Sequence, residues 1–80
     1  MTLTMQDARE LVGNSLLRIV PDADLMALPD DAPFRDELEL DSLDFLSLVE
    51  LLSTGSGRRI DEDDYPKLRT MEGCVTFLSG

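Results

Sequence analysis

A serine between two aspartates is the feature of this sequence whose residue types could do chemistry. Asp41, Ser42 and Asp44 stand at the start of an apolar-rich segment. An aspartate with a second acidic residue three positions later is typical of a capping box, which predicts that a helix begins after Asp41. The hydroxyl of Ser42 would then lie in the first turn, near unpaired backbone N–H groups and the positive end of the helix dipole. A phosphate joined to that hydroxyl would be favourably placed.

The chain supplies no base that could activate the hydroxyl of Ser42, since it contains no histidine. Neither a Ser-His-Asp nor a Cys-His arrangement can therefore form within it. A zinc site is not expected, because Cys74 is the one cysteine. The glycine-containing segment at residues 55–57 follows a helix and is too short to cradle a phosphate. We expect no catalytic residue and no metal site, so covalent chemistry at Ser42 would have to be activated by another protein.

The charge balance limits the classes of partner. The chain of 80 residues has 17 acidic and 7 basic side chains and a net charge of −10. Nucleic acid is not an expected partner, because affinity for phosphate backbones comes largely from Lys and Arg. Proteins with basic surfaces are the expected partners.

The length and the apolar pattern limit the architecture. Eighty residues predict a single domain over residues 1–80, near the lower limit for a self-sufficient core. No apolar run approaches the ~18 residues of a membrane span, so no membrane association is expected. The first ten residues lack the features of a secretion signal. We therefore expect a cytoplasmic, monomeric protein.

Helical periodicity predicts two long helices in the first two thirds of the chain. Apolar residues recur at helical spacing over residues 5–20, after a Thr4 cap, and Pro21 is expected to end that first helix. The second helix, opened by the capping box, is expected to end near Thr54, with Gly55 as its left-handed cap.

The remaining segments predict two further helices and a long loop. A short third helix should begin at Asp61 and be truncated by Pro66, and a last helix should follow Thr70. Residues 21–40 show no periodicity and contain three prolines. The predicted fold is all-α: a small four-helix bundle of three main helices and one short third helix, with a long loop between helices one and two.

The second helix has two distinct faces. One carries a purely apolar stripe that predicts the core side: Phe45, Leu48, Val49 and Leu52. The other mixes apolar and polar groups beside the serine and suggests a docking surface: Ser42, Leu43, Leu46, Ser47 and Glu50. On spacing alone, Leu43 and Leu46 fit a core face equally well.

The Asp-Ser-Leu triplet, opening a helix midway through a small acidic chain, resembles the acyl carrier protein family. Phe34, Leu38 and residues 41–44 occupy that family's phenylalanine, leucine and prosthetic-group positions. Residues 60–70 resemble the segment around its short third helix, and residues 75–78 resemble its closing helix. In that family the serine carries a 4′-phosphopantetheine arm. The resemblance therefore implies that Ser42 is the attachment point, flanked by Asp41 and Leu43.

The resemblance also implies a carrier and not an enzyme. Such a protein shuttles thioester-bound acyl intermediates between partner enzymes. A phosphopantetheinyl transferase would attach the arm from coenzyme A, and acyl-activating ligases, synthases or transferases with basic docking surfaces would use it. Their expected contacts are the residues around and along the start of the second helix: Asp36, Glu37, Glu39, Asp44, Leu46, Ser47 and Glu50.

Several positions depart from the carriers of fatty acid synthesis. Ser47 stands where glutamate is usual, Glu50 where a hydrophobic residue is common, and Glu39 where glycine is frequent. These departures favour a specialised fatty acid, polyketide or related pathway. Two alternatives stay open: an aminoacyl or peptidyl carrier of a nonribosomal-type pathway, and an unmodified acidic adaptor that works by helix-groove contact. The Asp-Ser-Leu triplet alone also fits an ordinary helix cap followed by a core residue.

Overall fold

The computed structural model describes residues 3–80, and this part of the chain contains helices and loops without a strand. Its elements in chain order are α1 (Met5–Ile19), α2 (Phe34–Glu37), α3 (Ser42–Ser56), a 3₁₀ helix (Glu62–Leu68) and α4 (Met71–Ser79). The all-α prediction is confirmed: α3 is the predicted second helix and the 3₁₀ helix is the predicted third. The single-turn helix α2, inside the long loop, was not predicted. Among these helices none is long and apolar enough to cross a membrane.

The core lies between α1, α3 and α4, with α1 packed against both of the others. Each of these helices contributes one apolar stripe, and α2 and the 3₁₀ helix add Phe34 and Leu68. The fully buried side chains are Ala8, Val12, Leu16, Phe34, Leu48, Leu52, Leu68 and Cys74. Burial of one such large aliphatic side chain contributes about 1.5–3 kcal/mol. Met5, the first residue of the apolar pattern predicted for α1, is instead exposed.

The left-handed cap of α3 is at Gly57 and not at Gly55, where it was predicted. Gly57 has a φ of +69°, and its N–H donates to the carbonyl oxygen of Ser53. Gly55 lies inside the helix, where a Cβ atom would overlap Leu11 Cδ1. Gly55 therefore serves the close approach of α1 to α3, and the helix continues two residues beyond its predicted end.

The predicted truncation at Pro66 was wrong, because Pro66 lies within a 3₁₀ helix that continues to Leu68. A short 3₁₀ segment relies on few hydrogen bonds, so one missing donor disturbs it less than it would an α-helix. Leu68 is fully buried and fixes the end of the segment in the core. At the start, the N–H of Asp61 donates to Asp64 Oδ2 at 3.2 Å.

The long loop between α1 and α3 is held at two points. Arg9 donates through both terminal nitrogens to the Asp30 carboxylate, at 3.0 and 2.9 Å, and this hydrogen bonding lowers the pKa of Asp30 from its ordinary value. The carbonyl oxygen of Asp30 also accepts from the N–H of Glu72. Four residues later, the N–H of Phe34 donates to the carbonyl oxygen of Arg69 at 2.9 Å. These contacts fix the loop to α1 and to the start of α4.

Glu39, in the short connection from α2 to α3, has a φ of +55°. Among residues 3–80 it is the one non-glycine residue with a positive φ. A side chain at Cβ makes this left-handed conformation unfavourable by about 1–2 kcal/mol. The backbone conformation of Glu39 therefore destabilises the fold slightly, two residues before Asp41, the N-cap of α3.

We predict that Glu39→Gly raises the free energy of unfolding by about 1 kcal/mol, because glycine adopts a positive φ without a steric penalty. Urea unfolding followed by far-UV circular dichroism would measure the change. Glu39→Ala is the matched control, since it removes the charge but keeps Cβ, and it should change the value by no more than about 0.5 kcal/mol. An equal rise in both variants would trace the gain to the lost charge and contradict the backbone explanation.

Candidate functional site

A reciprocal pair of hydrogen bonds sets the start of α3. The N–H of Asp44 donates to Asp41 Oδ1 at 2.8 Å, and the N–H of Asp41 donates to Asp44 Oδ2 at 3.4 Å. The predicted capping box is therefore confirmed. Both carboxylates are engaged with backbone donors, which identifies them as helix caps. The helix begins at Ser42 as a direct result.

Ser42 is the first residue of α3, and it is exposed. Its position places the hydroxyl beside the first-turn N–H groups of a helix of 15 residues. The positive end of the helix dipole favours a negatively charged substituent there. The site thus combines an exposed serine with an environment suited to a phosphate ester.

An open groove of about 560 Å³ adjoins Ser42 and is bounded by α2, α3 and the 3₁₀ helix. Its apolar lining comes from all three elements and from the link before α3: Phe34, Leu40, Phe45, Leu46 and Tyr65. The rings of Phe45 and Tyr65 meet edge to face, with centroids 5.6 Å apart and an interplanar angle of 79°. Phe45, predicted as core, is therefore only partly buried and forms part of the groove.

The residues predicted to contact partners lie at the surface of the protein, and only some of them line this groove. Leu43 is 74% exposed and Leu46 is 47% exposed, so the structure places both outside the core. Asp44 is partly buried through its capping role, and the other predicted acidic and polar residues are exposed: Asp36, Glu37, Glu39, Ser47 and Glu50.

The structure brings together only some of these predicted residues. Asp36, Asp41, Ser42 and Leu46 line one groove. Glu50 lies eight residues beyond Ser42 along α3, a rise of about 12 Å. It therefore belongs to the exposed side of the helix, away from the groove.

Sequence reasoning did not identify Arg35, Tyr65 and Arg69, which also line the groove. Tyr65 and Arg69 are more than twenty positions from Ser42 in the chain. No local pattern connects them to the serine. The backbone hydrogen bond between Phe34 and Arg69 brings the two segments together.

The one thiol of the chain, that of Cys74, belongs to the core. Its side chain is fully buried, and Sγ donates to the carbonyl oxygen of Leu68 at 3.3 Å. Burial raises the pKa of this thiol from 9.0 to about 12. In the part of the chain that the structure describes, no group of three or more His, Cys, Asp or Glu side chains could hold a metal ion.

Curated proteins that are similar to part of this chain include two acyl carrier proteins. The acyl carrier protein of Petrotoga mobilis is 35% identical over 49 residues, which are 61% of this chain and 58% of that protein. The acyl carrier protein of Rubrobacter xylanophilus is 35% identical over 48 residues, which are 60% of this chain and 59% of that protein. The matched segment thus spans less than two thirds of the length of either relative. No protein-family model matches the chain.

We predict that Cys74 resists alkylation in the folded protein, because the buried thiol stays protonated well above its ordinary pKa of 9.0. Iodoacetamide at pH 9 should leave the mass of the folded chain unchanged during a period that fully alkylates the chain in urea. A Ser47→Cys variant is the control, since its exposed thiol should react without unfolding. Fast alkylation of native Cys74 would contradict this assignment.

The same burial makes stability depend on alkaline pH. Below pH 9 the thiol is protonated in both states, and its burial contributes fully. As the pH rises from 9 towards about 12, the unfolded chain ionises first, so this contribution decreases.

Proposed function

We propose that this chain is a member of the acyl carrier protein family, that it carries a 4′-phosphopantetheine arm on Ser42 and that it delivers acyl groups to partner enzymes. Its similarity to two acyl carrier proteins supports this proposal. The single observation that supports this most strongly is an exposed serine at the first residue of a capped helix. The adjoining groove and the acidic surface around it agree with the same role.

Attachment of the arm is a phosphoryl transfer to Ser42. The Ser42 oxygen forms a bond to the coenzyme A phosphorus that bears the pantetheine group, and the pyrophosphate bond to that phosphorus breaks. Adenosine bisphosphate leaves, and the hydroxyl proton passes to a base. A hydroxyl is a weak nucleophile without such a base, and this chain has no histidine to serve as one. A separate transferase would supply the base and Mg²⁺.

The helix start favours the product of that transfer. A phosphodiester on Ser42 carries a negative charge, and the first-turn N–H groups of α3 and the dipole stabilise such a charge. Once attached, the arm supplies a terminal thiol that holds acyl groups as thioesters. The flexible connection raises the local concentration of the cargo at a docked enzyme into the millimolar range.

The exposed surface around Ser42 supports docking of basic partner proteins. Leu43 and Leu46 offer apolar contacts at the serine. Acidic side chains surround them and would attract a basic surface and speed the encounter: Asp36, Glu37, Glu39 and Asp44. Further along α3, the exposed Ser47 and Glu50 replace the glutamate and the hydrophobic residue that are common in carriers of fatty acid synthesis. This difference supports a carrier dedicated to a specialised pathway.

We predict that the chain gains one phosphopantetheine when it is incubated with coenzyme A, Mg²⁺ and a broad-specificity phosphopantetheinyl transferase. Intact-mass spectrometry should show a single addition, which Ser42→Ala abolishes. Ser47→Ala is the matched control, because Ser47 is exposed on the same helix and should leave the addition unchanged. An unmodified mass with a transferase that modifies another carrier would instead favour the unmodified acidic adaptor.

We predict that Leu46→Glu weakens docking to the transferase, raising the KM for the carrier about tenfold, because it places a charge among apolar contacts. Circular dichroism should show unchanged helix content, since Leu46 is already 47% exposed. Met26→Glu is the control, because Met26 is 99% exposed in the long loop and does not line the groove beside Ser42. Loss of helix content in Leu46→Glu would show that this residue supports the core and would contradict the docking role.

A further inference from the structure

Two arginines line the groove beside Ser42 and have no carboxylate partner. Arg35 and Arg69 are both exposed, and within residues 3–80 neither forms an ion pair. The backbone hydrogen bond from Phe34 to Arg69 holds their chain segments side by side. Two arginines without an ion-pair partner therefore line the same groove.

Most other basic side chains of the chain are already engaged. Arg9, Arg59 and Lys67 pair with carboxylates. Arg58 donates to the carbonyl oxygens of Phe77 and Gly80 and lies over the Phe77 ring. Arg18, on α1, is outside the groove. The cations without a partner are thus concentrated where Ser42 is.

The net charge of the residues that line the groove is compatible with an added anion. Asp36 and Asp41 also line it, so its two arginines and two aspartates have no net charge. Asp41 is already used by the helix cap. In a chain of net charge −10, an anion attached at Ser42 is repelled by the acidic side chains, and the helix dipole offsets that repulsion only in part. Arg35 and Arg69 are the cations in a position to offset it.

We infer that Arg35 and Arg69 bind an oxyanion carried by the arm attached at Ser42. This inference rests on the proposed function. The planar guanidinium presents a fork of donors that matches anions with two equivalent oxygens. Such an oxyanion has two sources: the phosphodiester that joins the arm to Ser42, and a carboxylate at the free end of an acyl cargo that folds back into the groove.

The test uses the full chain in three backgrounds. These are the wild type, the double variant Arg35→Gln/Arg69→Gln, and Arg18→Gln as the matched control for loss of an arginine that the groove does not use. Each is converted to the form with a free arm and to forms loaded from hexanoyl-coenzyme A and from hexanedioyl-coenzyme A. These two cargoes have the same chain length but end in a methyl group or a carboxylate. Circular dichroism checks that all three backgrounds fold.

Two measurements distinguish the sources of the anion. If the phosphodiester is bound, its ³¹P resonance in the free-arm form should shift by more than its line width in the double variant and stay in place in Arg18→Gln. If a cargo carboxylate is bound, the hexanedioyl thioester should hydrolyse about two- to fivefold more slowly than the hexanoyl thioester. That difference should disappear in the double variant and persist in Arg18→Gln.

Either result supports the inference and names the anion. An unchanged ³¹P resonance together with equal hydrolysis rates in every background overturns the inference. The proposed carrier function would still be supported in that case, because the chain would have accepted the arm. A chain that accepts no arm at all overturns the proposed function, and the inference with it. Intact-mass spectrometry separates these two failures before the arginines are tested.

Discussion

One backbone hydrogen bond, from the N–H of Phe34 to the carbonyl oxygen of Arg69, determines the geometry on which the site depends. It joins the long loop to the residue before the α4 cap, across 35 positions of sequence. The Phe34 side chain is 1% exposed, so its burial anchors the same point from the apolar side. Together they fix α2 against the segment that precedes α4. The groove beside Ser42 exists because these segments meet there.

Local interactions then position the serine within that frame. Asp41 and Asp44 satisfy each other's backbone donors and so define the first residue of α3. Their carboxylates are occupied by this structural role, and the chain has no histidine to replace them as a base. The Ser42 hydroxyl is therefore placed at the start of the helix without a neighbouring base that would activate it as a nucleophile. That arrangement agrees with the proposed carrier function, in which partner enzymes would perform the chemistry.

The helix starts could be predicted from the sequence because each depends on residues within one turn. Thr4, Asp41 and Thr70 each accept a hydrogen bond from a backbone N–H three positions later, as predicted. The position of the α3 end could not be predicted. Gly55 and Gly57 are both plausible caps by type, and only the proximity of Leu11 shows that Gly55 serves helix packing.

Part of the candidate site could also be predicted, because some of its residues are close together in the sequence. Ser42 and its neighbours on α3 follow from helical periodicity, which also left Leu43 and Leu46 equally suited to core or surface. The structure shows that both leucines are exposed and therefore lie at the surface. The groove residues Tyr65 and Arg69 approach the serine only through tertiary packing, so no spacing rule could include them.

The acidic and the basic side chains around Ser42 would have different functions in the proposed carrier. The exposed acidic residues of α2 and its connection to α3 suit a basic protein surface, which arrives from solvent. The same negative field opposes any anion covalently attached at the serine, and the helix dipole offsets only about half an elementary charge. The proposed carrier function therefore favours local cations that do not neutralise the exposed acidic side chains. Arg35 and Arg69 meet that requirement, because they line the groove and leave the outward carboxylates unpaired.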